Sequence, residues 1–464
     1  MFVYGQQVAT TAVPQTFSLE QCVQYALENS VTVKNAQLDQ EIANERVKET
    51  VGIGLPQITG SSSLIYNQKL SRFFSQYSGP GGGIFDFSSV PGIQPGDVVA
   101  AQNFFQLKSS GDASVSVNQI LFNGSYLVGL QAAKSYKDLS LKTSGQSRET
   151  LVSQVTKAYY LAVINNERIT LFDANIARVD SLLRNTKALN TNGFAEQIDV
   201  DRVQVTYNNL ITEREKFINL QEVAQELLKF QMNYPMDQTL AITGNIADFT
   251  APVLSDIEPN VDFNNRWDYQ LLQANKKLLE LDLKNKHAGG VPSLSAFAKF
   301  GMATQSNTVG GLFSTGSDIK DQGGVGPDKW YDYSNYGISL NVPIFTGLQR
   351  NHQVQQAKLT LLKTENSTRQ LESAINLEAK QTRLTLDNAI KTLASQKANM
   401  ELASNVARVT KIKYEQGVGS SLEVIDAESS LRETQINYYN AMYDAMIAKV
   451  DIDKAYGKLV PVTK

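Results

Sequence analysis

The sequence predicts a mainly α-helical chain that also carries a membrane β-barrel and is built from two internal repeats. Three observations indicate this fold. Similar segments recur in the same order in both halves of the chain, and two very long stretches contain no proline. In addition, four segments alternate polar and apolar residues over about ten residues, the length of a tilted membrane strand.

The composition argues against several classes of function. The 464 residues carry a formal net charge of −3, without the basic excess that nucleic-acid binding requires. One cysteine, Cys22, and two histidines, His287 and His352, are too few for a disulfide or a histidine-based metal cluster. The sequence contains no run of about 18 apolar residues, so it predicts no membrane-spanning helix. We therefore predict no catalytic residue, no metal site, no cofactor and no nucleic-acid partner.

The repeats set the expected boundaries. The matching pairs are Gly54–Asn67 with Gly290–Gln305, Ser116–Gly124 with Ser339–Gly347, and the stretch from Gly193 with that from Gly417. They predict a first structural repeat over 17–240, a linker over 241–262 and a second repeat over 263–464. Residues 1–16 resemble the tail of a signal peptide, with a disordered start as the alternative.

Each repeat begins with a helix and contains two longer ones. Ser18 and Gln21 form a capping-box pattern that starts a helix running to about Val51, and residues 263–287 match it in the second repeat. Long helices are predicted over about 125–190, 196–233, 347–416 and 420–457. Two of them reach on the order of 95–105 Å at 1.5 Å per residue, so they must project and pack side by side.

Two apolar seams predict which helix faces are buried. Both have the three- and four-residue spacing of a coiled coil, and small alanines allow close approach of helix axes. The seam positions are Val424, Ala427, Leu431, Thr434, Tyr438, Ala441, Ala445, Ala448, Ile452 and Ala455 in the second repeat, and Val203, Tyr207, Leu210, Phe217, Ala224 and Leu228 in the first.

Four strands are predicted over about 57–67, 112–122, 293–303 and 335–345. Each has one mainly apolar face. In chain order, these faces are Ile58, Gly60, Ser62, Leu64 and Tyr66 in the first strand, Ala113, Val115, Val117 and Leu121 in the second, Leu294, Ala296, Ala298, Phe300 and Met302 in the third, and Tyr336, Ile338, Leu340, Val342 and Ile344 in the fourth. The strands of a soluble β-sandwich would also alternate polar and apolar residues. Aromatic residues beside two long glycine-rich loops favour membrane strands. These residues are Tyr66, Phe73, Phe74 and Tyr77, and Trp330, Tyr331, Tyr333 and Tyr336.

Four strands cannot close a membrane barrel, because the smallest have about eight and an open edge in lipid leaves backbone groups unpaired. The chain must therefore assemble with copies of itself. Two copies supply eight strands, and three supply twelve, which leaves room for a lumen.

These segments together resemble the TolC-like outer membrane efflux family. The resemblance covers roughly Phe17 to Leu459. It rests on "FSLEQCVQYALENS", "GLPQITGSSSLIYN", "NRWDYQLLQANKKLLELDLKNK", "GISLNVPIFTGLQR" and "YEQGVGSSLEVIDAESSLRETQINYYNAMYDAMIAKVDIDKAYGKL".

The resemblance implies a homotrimer in the outer membrane lipid, with a twelve-stranded β-barrel continued by a twelve-helix α-barrel across the periplasm. It implies a passive duct that works with a periplasmic adaptor (membrane fusion) protein and an inner-membrane pump or type I exporter. The expected function is conduction of small molecules or proteins out of the periplasm.

The resemblance also assigns a periplasmic gate. Glu423 and Asp426, six and nine residues after Gly417, match acidic positions that ring the closed entrance. Three chains would bring six carboxylates around one axis, where they would attract cations. The alternative is that both are ordinary solvated charges on a helix surface.

A latch is implied beside the ring. Tyr414 matches a latching tyrosine, and Asp199 matches its acidic partner in the first repeat. The basic residue expected two positions after Gly417 is missing, because Gly419 stands there. Arg202, on the same face as Asp199, is the candidate to replace it.

The turns between the long helices are the expected adaptor contacts. They comprise Asn192, Gly193, Phe194, Gly417, Val418 and Gly419. Their glycines would in any case serve to reverse a helix pair.

Two other classes of function remain as alternatives. One is a soluble, non-conducting coiled-coil scaffold. The other is a hydrolase that uses Glu423 and Asp426, but carboxylates on adjacent helical turns face the same way and cannot flank a bond from two sides. We therefore do not predict an enzyme.

Overall fold

The architecture divides into a helical unit and a sheet unit. The computed structural model describes residues 16–81, 87–103, 105–244, 246, 249, 252, 258, 260–313 and 330–460. The helical unit takes its described residues from Met1–Arg46, Ala132–Asp282 and Gln356–Lys464, and the sheet unit from Val47–Gln131 and Leu283–Gln355. The predicted N-terminal segment lies, except for residue 16, outside the described residues. Parts of the predicted linker and of both glycine-rich loops also lie outside them.

The described chain is mainly helical. Its helices are α1 (Leu19–Asn29), α2 (Val31–Ile53), α3 (Gly124–Thr191), α4 (Gln197–Met232), α5 (Trp267–Ala288), α6 (Gln349–Glu415) and α7 (Ser421–Ala455). Its strands are β1 (Thr16–Phe17), β2 (Gln57–Tyr66), β3 (Arg72–Gln76), β4 (Val98–Gln102), β5 (Ser109–Phe122), β6 (Ala241–Ile242), β7 (Ser293–Ser306) and β8 (Tyr331–Asn341). Short 3-10 helices span Phe263–Asn265 and Gly310–Leu312. None of the helices in the described ranges has a stretch long and apolar enough to cross a membrane.

The first predicted helix is divided into α1 and α2. Its start is as expected, because the Ser18 amide donates to Gln21 Oε1 at 2.9 Å and the Gln21 amide donates to Ser18 Oγ at 3.3 Å. The helix then breaks at Ser30, whose ψ of 130° is extended. The Asn233 side chain donates to the Asn29 carbonyl at 3.1 Å, so a tertiary contact satisfies a group that a continuous helix would have used.

The predicted seams are confirmed by burial. All positions of the α7 seam except Thr434 and Tyr438 are buried. Near the end of α6, Ala403 and Ala407 form one cluster with Ala427 and Leu431 of α7. In the first repeat, Val203, Leu210, Ala224 and Leu228 are buried, and Tyr207 and Phe217 are partly buried.

The four longer strands form one antiparallel sheet in the order β2-β5-β7-β8. The register places Ile58, Val117, Ala298 and Tyr336 opposite one another. The next row is polar: Thr59, Ser116, Lys299 and Asn335. The apolar faces predicted for the separate strands therefore coincide on one side of the sheet. Exposure of 70% at Ile58 and 83% at Tyr336 leaves this face uncovered within the chain.

The fourth strand begins and ends four residues earlier than expected, at Tyr331–Asn341 rather than about 335–345. Tyr331 and Tyr333, which we assigned to the flank, pair with Ala303 and Gly301 of β7. Pro343 has no backbone N–H to donate to a ladder, which disfavours a strand that continues through it. Val342 and Ile344 accordingly lie beyond the strand.

Two small sheets were not predicted. Strands β3 and β4 form an antiparallel hairpin in the stretch that we treated as a loop and its flank. Strands β1 and β6 pair in parallel, with Phe17 opposite Ile242. Pairs of only two residues carry no periodic signal that a sequence could show.

A polar cluster lies on the sheet face opposite the apolar one. The Tyr333 hydroxyl donates to Asp112 Oδ2 at 2.6 Å, and Lys299 Nζ lies 5.3 Å from the Tyr333 ring centroid. Gly301 makes room for this ring, because a Cβ there would lie 2.6 Å from Tyr333 Cζ.

This contact predicts that Gly301→Ala destabilises the sheet. The methyl group would displace Tyr333 from Asp112, at a cost of about 1–3 kcal/mol, as in other overpacked sites. The free energy of unfolding in detergent, measured with denaturant, tests this prediction. Gly60→Ala is the matched control, since a Cβ at Gly60 would meet no atom within 4 Å. Equal stability of the two variants would contradict the steric argument.

Candidate functional site

Two glycine turns reverse the long helices of the helical unit. Gly193 follows α3 with φ of 78°, and Gly417 follows α6 with φ of 75°. After each glycine a backbone amide donates back across the turn, from Phe194 to the Leu189 carbonyl at 2.8 Å and from Val418 to the Lys413 carbonyl at 3.0 Å. This is the Schellman arrangement, which requires a left-handed residue and therefore favours glycine.

The tips of both turns present apolar side chains to solvent. Phe194 is 81% exposed and Val418 is 77% exposed. Asn192 is also exposed, and its side chain donates to the Ala188 carbonyl at 2.7 Å. Exposed apolar groups at a helix turn stabilise nothing within the chain, which makes them candidates for a contact with another protein.

Gly419 occupies a crowded position. A Cβ there would lie 3.1 Å from the Tyr414 backbone nitrogen and 3.2 Å from Lys413 Cβ. A basic side chain, which the resemblance implies at this position, would therefore require the turn to shift. The close approach of the chain to the end of α6 explains why this turn carries glycine.

The two acidic residues lie on the exposed face of the first turns of α7. Glu423 and Asp426 are exposed, whereas Val424 and Ala427 between and after them are buried. Ser420 caps the helix by accepting from the Glu423 amide at 3.3 Å. The positive end of the helix dipole favours a carboxylate in this first turn.

The expected latch residues have different partners from those that the resemblance implies. Asp199 accepts a hydrogen bond from Ser421 Oγ at 2.5 Å. The Tyr414 hydroxyl lies 3.2 Å from Thr186 Oγ1, so it pairs with α3 rather than with Asp199. Arg202 Nη1 lies 3.8 Å from Asp199 Oδ1, one turn along the same helix.

Sequence reasoning missed Ser421 and Thr186. Ser421 is only 6% exposed and joins the start of α7 to the start of α4. In the sequence, Ser420 and Ser421 form a pair that indicates only a helix cap. Thr186 lies within α3 and has no local signal at all, because its partner lies far along the chain.

A groove of about 930 Å³ runs between the two turns. Its lining includes Asn192, Phe194, Asp199, Tyr414 and Ser421. The Ser421–Asp199 hydrogen bond crosses the groove, and the lining contains neither a histidine nor a cysteine. Among the residues that the structure describes, no group of three or more His, Cys, Asp or Glu is placed to hold a metal ion.

Polar contacts join α3 to α7 behind the turns. Arg178 Nε lies 3.3 Å from Glu428 Oε2, with the carboxylate side chain 10% exposed. One turn earlier on α3, Asn175 donates to Gln435 at 3.2 Å. These pairs connect the first helical hairpin, α3 and α4, to the second, α6 and α7, so the two turns are held in one register.

Comparison with known proteins identifies the family. The family model described as outer membrane efflux protein matches residues 22–226 and 269–458. The outer membrane protein TolC of Escherichia coli (strain K12) is 23% identical over 361 residues, which cover 75% of this chain and 69% of that protein.

Solved structures share the fold. The structure of CusC has a TM-score of 0.72 at 14% identity and covers 98% of this chain and 95% of that one. The open state of the MtrE outer membrane channel of Neisseria gonorrhoeae has a TM-score of 0.70 at 16% identity, over 96% of this chain and 89% of that one. Because the family model matches most of the chain in both halves, the chain belongs to the outer membrane efflux protein family, the channel proteins of the cell outer membrane.

Proposed function

We propose that three copies of this chain form a passive duct that carries small molecules or proteins from the periplasm across the outer membrane. The α-helices would reach into the periplasm, and the strands would lie in the membrane. Transport through such a duct needs no nucleotide and no cofactor, since the energy comes from the protein to which it is docked.

The observation that carries this proposal is the open sheet. Among the described strands, β2 and β8 each pair with a neighbour on one side only, so the four-stranded sheet has two free edges there. Its apolar face is exposed at Ile58, Tyr336 and Ile338, as expected of strands that face lipid. In lipid each unpaired backbone group costs several kcal/mol, so these edges require strands from other copies.

Three copies fit better than two. Three four-stranded sheets supply twelve strands, which enclose a lumen, whereas eight strands enclose an interior that side chains fill. The small and polar residues opposite the apolar face, such as Ser61, Ser114 and Gly301, would then line a water-filled lumen.

The gate would lie at the two helix turns. In a trimer the exposed carboxylates of Glu423 and Asp426 would form a ring of six negative charges at the entrance. Opening would move the second helical hairpin away from the first, which would break the Ser421–Asp199 and Tyr414–Thr186 contacts. These contacts therefore act as a latch in our proposal.

The exposed tips would receive the adaptor. Phe194 and Val418 offer apolar contacts beside the exposed backbone of Gly193 and Gly417. A periplasmic adaptor would bind here and connect the duct to an inner-membrane pump or a type I exporter. Such a contact would also lie next to the latch, so binding and opening would be coupled.

The trimer is tested by the native mass of the membrane-extracted protein, with the detergent contribution subtracted. The expected mass is three times that of the 51.1 kDa chain, and the protein should precipitate when detergent is removed. A monomer that is soluble in plain buffer would contradict the duct and support the coiled-coil scaffold instead.

The acidic ring predicts cation block of the channel. Changing both Glu423 and Asp426 to Ala should raise the half-blocking concentration of a multivalent cation by about tenfold or more, because a ring of like charges carries a potential of several kT. Single-channel conductance in planar bilayers measures this effect. Glu222→Ala, an exposed change on α4, is the control. Equal block in both variants would reject the ring.

The latch predicts that Ser421→Ala favours the open state. A hydrogen bond to a charged group contributes about 1.5–3 kcal/mol, so its loss should raise the open-to-closed ratio by about tenfold or more. Single-channel open probability measures the change. Ser430→Ala, at an exposed position of the same helix, is the matched control. The latch proposal fails if both variants gate like the unmodified protein.

A further inference from the structure

A buried carboxyl group lies in α3, within the helical unit and away from the two turns. Glu149 is only 5% exposed. Its Oε1 atom is buried and has no hydrogen-bond partner. An ionised carboxylate without a partner is costly in such a place, whereas a protonated carboxyl tolerates it far better.

Glu149 lies near Arg266, which uses four of its five N–H donors for other partners. Arg266 donates to both oxygens of Asp268 at 3.1 and 2.7 Å. It also donates to Glu378 Oε2 at 2.8 Å and to the Ala455 carbonyl at 2.9 Å. The guanidinium thus connects the start of α5 with both α6 and the end of α7. None of the hydrogen bonds described for Arg266 is to Glu149.

The charges around Glu149 balance only when it is neutral. The charged groups that act on it are Arg266 and Asp268 at the start of α5, Glu378 on α6 and Lys454 on α7. Two cations and two carboxylates cancel, so an ionised Glu149, itself buried, would add an uncompensated negative charge where four helices meet.

Packing keeps this junction rigid. One turn before Glu149, Gly145 lies directly against the Trp267 ring, which would clash with any Cβ at that position. The Trp267 indole donates to the Val460 carbonyl at 2.8 Å. Since α3 and α5 are in close contact here, there is little room for α3 to carry Glu149 outward to water.

We propose that Glu149 is a proton-binding site: in the packed state its carboxyl group holds a proton, and release of that proton to water loosens the junction of α3 with α5, α6 and α7. The proposal concerns this chain's own packing, so it does not depend on the duct or its gate. In a trimer, contacts with other copies could only bury Glu149 further.

Electrostatics supports the proposal. Burial raises the pKa of Glu149 to about 7, although Arg266 and Lys454 oppose the shift. Between the ordinary value of 4.5 and about 7, the folded chain holds the proton and the unfolded chain has released it. Opening the junction therefore releases a proton, so rising pH favours opening. The stability that the proton on Glu149 gives to the packed junction is fully present below pH 4.5 and is lost as the pH rises through about 7.

The first test is an infrared titration of the full chain in detergent, from about pH 5 to about pH 9. The band of a protonated carboxyl group should persist near neutral pH in the unmodified protein and be absent in E149Q. If the two proteins give the same spectra at about pH 6, no proton is held at Glu149 and the proposal is overturned.

The second test is amide hydrogen exchange of the α3 segment around Glu149. Comparison with E149Q at each pH removes the intrinsic pH dependence of exchange. The opening constant of the unmodified protein should rise, relative to E149Q, by up to about tenfold per pH unit until the carboxyl is ionised. If the ratio of the two proteins' opening constants stayed the same across this pH range, the link between the proton and packing would be overturned.

Two further variants separate the effect of charge near Glu149 from a general effect of replacing a carboxylate. E222Q removes an exposed carboxylate on α4 and should behave as the unmodified protein. E378Q removes one of the two balancing carboxylates, so the junction gains a positive excess and Glu149 should release its proton at lower pH. An unchanged titration in E378Q would contradict the charge balance on which the site depends.

Discussion

Unpaired backbone groups at the edges of the sheet are the constraint on which the proposed assembly depends. A helix satisfies its own amides and carbonyls, but a sheet edge does not, and lipid offers no water to replace the missing partner. Strands β2 and β8 leave such edges within the chain. Charged residues often protect the edges of soluble sheets; here Ile58 and Tyr336 are exposed instead. The edges are therefore better suited to pairing with further strands, as in the proposed trimer, than to exposure in water.

The helical unit solves a different problem, which is how long helices keep their register. Apolar seams alone allow neighbouring helices to slide, since each turn looks much like the next. Polar pairs such as Arg178–Glu428 and Lys157–Asp451 at 2.5 Å fix one register between the two halves of the chain. Each pair adds little stability because it is partly solvated. Its value is that a displaced register would leave the partners unpaired.

Periodic patterns were predictable from the sequence, and tertiary contacts were not. Most of the α7 seam and of the apolar strand faces was correct, because burial or an apolar environment on one side imposes a repeat on the residues themselves. The break at Ser30 was missed because it depends on Asn233, far along the chain. Strand β8 was misplaced because its aromatic residues suit a flank as well as a strand. At the candidate site, the glycine turns were readable, whereas the Ser421–Asp199 contact required knowledge of which helices meet.

The small side chains of the α6–α7 seam have a consequence for motion. Near the turn this pair is packed through Ala403, Ala407 and Ala427, whose methyl groups form shallow ridges, together with the larger Leu431. The first hairpin is packed through the larger side chains Phe172 and Leu210, which are almost fully buried, in a cluster that also includes Val424 of α7. A small displacement opens large voids between interlocked side chains but hardly any between methyl groups. Displacing α7 along α6 at these alanines would therefore open smaller voids than displacing α3 along α4 at Phe172.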